Sequence, residues 1–81
     1  MTSIRENAQR VLSYLAAQRN RMVKGAEIAE RLGLEPDAVN DAVGVLIDGG
    51  LATQETSFGT QPFDFSVVQI TSRGRLEADE A

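Results

Sequence analysis

The chain has 81 residues, 42% hydrophobic and 5% aromatic, which suffices for one small domain spanning residues 1–81 and is too short for two. It contains no Cys and no His, which removes disulfides, thiol and imidazole chemistry and the usual zinc, haem and iron–sulfur ligand sets. The net charge of −4 is unevenly laid out: Arg5, Arg10, Arg19, Arg21 and Lys24 stand against Glu6 in residues 1–24, a local +4, so residues 25–81 carry −8.

The chain begins with Ser3 and Glu6 in the S-x-x-E spacing of a capping box. Behind it Ile4, Ala8, Val11, Leu12 and Leu15 recur at the three-and-four spacing of one helical face, predicting a first helix over about 4–19. Arg5, Glu6 and Arg10 interrupt the segment where a signal peptide needs an apolar core. The longest apolar run, Ala42 to Ile47 around Gly44, falls far below the ~20 residues that span a bilayer. A soluble, cytoplasmic chain with no membrane partner is expected.

Asn20 and Arg21 break the helical pattern, and Met22-Val23 is a brief apolar pair suited to a short strand. A second helix follows from about Gly25, with Ala26, Ile28, Ala29 and Leu32 on its apolar side and Gly33 where a left-handed residue ends a helix. Glu35-Pro36 restarts the chain, since Pro tolerates the first helical position. Val39, Ala42, Val43 and Leu46 then form a buried face up to Gly49-Gly50.

Beyond the glycine pair the pattern becomes extended. Leu51 to about Thr56 and Phe63 to Ile70 read as the strands of a hairpin, joined by a loop with Ser57, Gly59 and Pro62. Thr71 caps a short last helix over about 72–79, with Gly74 inside it and Glu77, Asp79 and Glu80 at its end.

Helix, short strand, helix, tight turn, helix and hairpin, in that order, resemble the winged helix-turn-helix family, as found in the DNA-binding domains of small prokaryotic transcription regulators. The likeness rests on Ala29, Gly33 and Val39 at the spacing Ala-x3-Gly-x5-Val, on Gly50-Leu51 ending the third helix, and on Ile70-Thr-Ser-Arg-Gly74-Arg after the hairpin. It covers about residues 4–76. A small residue at 29 lets two helices cross closely, Gly33 makes the turn and Val39 locks the third helix on the second. The expected fold is therefore α+β: a three-helix core, a β-hairpin wing over about 51–70 and a short C-terminal helix.

The resemblance implies that the third helix reads the major groove while the wing touches the DNA backbone or minor groove. Carried onto this chain, the reading surface is Asp37, Ala38, Asn40, Asp41 and Gly44, with Thr60 and Gln61 at the wing tip. Asn40 suits a bidentate adenine contact. The electrostatics oppose this role: Glu35, Asp37, Asp41 and Asp48 lie in residues 35–50 without a Lys or Arg. Glu35 and Asp37 also have a purely structural explanation, because acids stabilise the dipole at a helix N-terminus. A salt-adapted source would spread such acids over the whole surface.

Cations sit elsewhere. Arg19, Arg21 and Lys24 surround the start of the second helix, whose amides suit a phosphate, and Arg19 also suits the carbonyls closing the first helix. Arg73 and Arg75 follow the wing, offset by Glu77 and Asp79. Val45 and Ile47 fall outside the core stripe of the third helix, and Phe58 lies near the loop tip. These three mark a protein contact as the alternative to DNA, either a homodimer or docking on a larger partner. A core this small benefits from such a partner.

Enzymatic function has no support in the residue inventory: Tyr14 and the carboxylates lack a base, a metal cluster or a Gly-rich phosphate loop. Glu27 and Glu30 share a helix turn and read as a solvated face. No cofactor and no metal are expected.

Overall fold

The computed structural model describes residues 3–18 and 21–80. Helix α1 spans Ile4–Ala17, with the Ser3 hydroxyl accepting the Glu6 amide at 3.1 Å as its N-terminal cap. The helix is two residues shorter than expected, and Arg19 and Asn20 lie outside the described residues. Its buried face is Asn7, Ala8, Val11, Leu12 and Leu15. Ile4 corrects the reading of that face, being 50% exposed while the polar Asn7 is buried.

Strand β1 (Val23–Lys24) leads directly into α2 (Gly25–Leu32). Val23 is fully buried, and Met22, expected to share the strand, precedes it and is half exposed. Gly33 ends α2 at φ 66°, a left-handed conformation that glycine adopts without a Cβ clash. The Leu34 amide then returns to the Ala29 carbonyl at 3.0 Å. Arg10 reaches across from α1 to donate to the Leu32 carbonyl at 2.7 Å, placing a cation at the negative end of the α2 dipole. Helix α3 (Pro36–Asp48) starts on the proline and buries Val39, Ala42, Val43 and Leu46, the stripe read from spacing.

Leu51 follows the turn, its amide bonded to the Leu46 carbonyl at 2.8 Å. Strands β2 (Ala52–Glu55) and β3 (Val67–Ile70) pair antiparallel, Ala52 opposite Ile70 and Glu55 opposite Val67. β1 adds to the other edge of β3, giving the order β1-β3-β2. The expected second wing strand from Phe63 is thus four residues too long: Phe63–Ser66 belong to the loop, although Phe65 within it is the largest fully buried side chain.

Helix α4 (Ser72–Glu80) packs on the far side. Thr71 ties it to the end of α3, donating its hydroxyl to the Gly50 carbonyl at 2.8 Å and its amide to the Leu51 carbonyl at 3.0 Å. The same hydroxyl accepts the Gly74 amide at 3.0 Å, the cap expected of Thr71. Gly74 is buried so close to the Leu51 carbonyl oxygen that a Cβ there would collide with it. Four helices and a three-stranded sheet thus enclose one apolar core in the winged-helix arrangement, with Ile28, Val39 and Phe65 buried in it.

Candidate nucleic-acid interface

The wing loop, residues 56–66, is folded down onto the helix-turn-helix instead of standing free. Asn40, midway along α3, provides the clamp: its amide nitrogen donates to the Pro62 carbonyl and its oxygen accepts the Asp64 amide, both at 3.0 Å. The residue expected to present this amide to an adenine has both ends engaged by the wing. Thr60 is likewise turned inward, donating its hydroxyl to the Phe63 carbonyl at 2.9 Å.

Phe63 sits between the two Asn40 contacts and lies on Gly25 at the start of α2. A Cβ at position 25 would come within 2.6 Å of its ring. Phe63 meets Phe65 at a centroid distance of 6.2 Å and an interplanar angle of 55°, a tilted packing of ring edges against faces. Loop and α2 leave a groove of about 510 Å³ lined by Lys24, Gly25, Ala26 and the loop from Ser57 to Phe63. Lys24, Thr60 and Gln61 are therefore brought together, whereas Gly44 lies farther along α3, half-buried, with open space where a side chain would stand.

Arg21 does not join that group. It donates to Glu27 at 2.5 and 3.2 Å and to the Gln18 side chain at 2.9 Å. Tyr14, from α1, donates its hydroxyl to Glu27 Oε2, the oxygen that also accepts an Arg21 N–H. The Arg21 hydrogen bond, followed by that of Tyr14, holds the Glu27 carboxyl below the usual range, while bonding to Glu27 holds the Tyr14 hydroxyl above its own. The result joins α1, the approach to β1 and α2. Glu27 is thus a tie between elements, which corrects its reading as a solvated face. Its 13-residue separation from Tyr14 left no periodic signal in the sequence.

The acids of α3 are placed as expected: Glu35, Asp37, Asp41 and Asp48 are all exposed. Of the three apolar candidates, Val45 is 44% exposed and Phe58 is wholly exposed. Ile47 is half-buried against the core, which removes it from the strip expected on the surface. Arg73 is exposed beside Gly50, and Arg75 is half-buried. Among the described residues no three His, Cys, Asp or Glu side chains gather as a metal site, and no helix is long and apolar enough to cross a membrane.

Solved structures of Lactococcus lactis ZitR are similar to this chain. A Cys-to-Ala, His-to-Ala double mutant in apo form matches 95% of this chain at 23% identity and a TM-score of 0.74, over 55% of its own length. A Cys-to-Ser mutant matches 91% of this chain at 28% identity and a TM-score of 0.68, over 47% of its own. The chain thus spans about half the length of these proteins. No family model matches, and no curated protein does.

Proposed function

We propose that the chain is a non-enzymatic regulatory module that binds duplex DNA with the side formed by the start of α2 and the wing. The supporting observation is the winged-helix fold held in common with ZitR, a transcription regulator, over more than nine-tenths of this chain. In this reading Lys24 meets phosphate, Gln61 and the Thr60 turn follow the groove wall, and Asn40 acts by holding the wing in place. Arg21 sets the start of α2 through Glu27. Gly44 leaves the approach along α3 unobstructed. The carboxylates of α3 weaken the phosphate term, so affinity is modest and falls with salt.

Anisotropy of a labelled random-sequence duplex tests the reading. One phosphate neutralised by Lys24 gives a log–log salt slope of about −1, and Lys24→Ala brings that slope close to zero. Absence of binding at low salt overturns the proposal.

A second reading has its own observation. Val45 is exposed next to Gly44, where a side chain would point into open space. Such a notch beside an apolar side chain fits a partner helix or a second copy of this chain. This reading expects a self-associated or partner-bound species that Val45→Asp dissociates, with no dependence on DNA; an unchanged sedimentation profile removes it.

A further inference from the structure

The large apolar side chains exposed among the described residues are Ile4, Met22, Val45, Phe58 and Leu76, and of these Phe58 is the one with no part of its surface covered. It stands on the turn at residues 58–59, with Gly59 at φ 78° behind it. The loop beneath it is held at several points. Thr60 and Phe63 bond to each other through both the Thr60 hydroxyl and the Thr60 carbonyl. Asn40 grips the chain on either side of Phe63, the Phe63 ring rests on Gly25, and Phe65 is sunk in the core. A ring at the tip of so anchored a loop keeps its direction when pushed.

Its surroundings indicate what it is pushed into. A protein hot spot is ringed by neighbours that exclude water. Phe58 is instead flanked by Ser57, Gly59, Thr60 and Gln61, with Lys24 across the groove; residues 56–63 contain no carboxylate, and the exposed Glu55 and Asp64 stand at the two ends of that stretch. The Ser57 hydroxyl, the Gln61 amide and the Lys24 ammonium beside one projecting apolar ring match the minor groove, whose walls are phosphate and whose floor carries acceptors.

We propose that Phe58 is a wedge that enters the minor groove of duplex DNA and lodges between adjacent base pairs, while Lys24 and Gln61 hold the flanking backbone and groove edge. The inference rests on the DNA-binding reading given above. Unstacking a base step costs free energy, and the wedge repays it through contacts made along the bent duplex. A wing-led approach also engages DNA without seating the carboxylates of α3 in the major groove, so the acidity of that helix ceases to be an obstacle.

The test uses the full chain and an A·T-rich duplex carrying 2-aminopurine at a flexible pyrimidine–purine step, whose fluorescence rises on unstacking. The wild-type protein is expected to bind at low salt and raise the signal. Phe58→Ala should bind about tenfold more weakly, as for loss of one base-stacking ring, and leave the signal flat, while Phe58→Leu retains most of both. The ring touches nothing within the fold, so all three proteins should melt alike. Equal binding by wild type and Phe58→Ala, with no fluorescence change in either, overturns the wedge and leaves the DNA reading standing. No binding by the wild type at low salt overturns both. Loss of self-association in Phe58→Ala with DNA binding intact assigns the ring to a protein contact and overturns the wedge alone.

Discussion

Asn40→Ala separates two roles for one residue. If Asn40 pins the wing, its removal deletes the hydrogen bonds to the Pro62 carbonyl and from the Asp64 amide. Two such bonds contribute about 1–3 kcal/mol in total, and partial exposure places the pair at about 1–2 because water replaces some of the loss. Alanine recovers about 0.6 kcal/mol of helix propensity relative to asparagine. The net loss is then about 0.5–1.5 kcal/mol, a fall of roughly 2–12 °C in Tm for a domain of this size. Thermal denaturation measures the total, and amide hydrogen exchange at Asp64 locates it, since that N–H loses its acceptor. DNA affinity should fall evenly across sequences as the wing loosens. An unchanged Tm and unchanged Asp64 exchange, together with a lost preference for particular base pairs, would refute the clamp and restore Asn40 as a base reader.

Gly74→Ala directs a methyl group into the Leu51 carbonyl oxygen, backbone that also accepts the Thr71 amide. Urea denaturation should show a loss of about 1–3 kcal/mol from overpacking despite the gain in helix propensity. Gly25→Ala forces the Phe63 ring away from α2, so the amide resonances of Phe58–Asp64 should shift while those of α1 stay in place. Glu27, held below the ordinary carboxylate value of 4.5 by Arg21 and Tyr14, stabilises the fold fully above that value and ceases to do so as pH falls through its lower folded value. The drop in Tm on acidification below about pH 5 should therefore be shallower in Glu27→Gln; equal slopes would show that this carboxylate does not couple to folding.

The helix-turn-helix was legible because its determinants are local. Ala29, Gly33 and Val39 act within a window of 11 residues, and the left-handed Gly33 and the Pro36 start are each set by single-residue stereochemistry. The wing was legible in kind but not in length. Phe63 and Phe65 alternate as a half-buried strand would, yet the Phe63 amide turns back to Thr60, and the first bond across to the opposite strand comes from Ser66 to Glu55 at 2.7 Å. Side-chain alternation reports burial, and only the backbone partner separates a strand from a loop pressed onto a core. The Asn40 clamp and the Tyr14–Glu27–Arg21 tie were illegible for a different reason. Both join residues 6 to 24 positions apart through side-chain hydrogen bonds, and no periodicity in a sequence encodes such pairs.

These two hidden ties bear on the same question, how a chain of net charge −4 presents a surface to a polyanion. Arg21 lies near the entry to α2 in sequence, but Glu27 neutralises it, leaving Lys24 at the groove. Asn40 lies on the expected reading helix, but the wing occupies its amide. What remains outward on α3 is acid and Val45, whereas the tip of the wing presents Phe58 with Ser57 and Gln61 beside it, and Glu55 and Asp64 lie at the base of the loop. The proposed recognition by the wing rests on that division. The Tyr14–Glu27–Arg21 tie sets the position of α2, α2 supports Phe63 at Gly25, and Asn40 fixes the loop from the other side. An altered Glu27 should therefore reach the wing through Gly25, while an altered Asn40 acts on it directly.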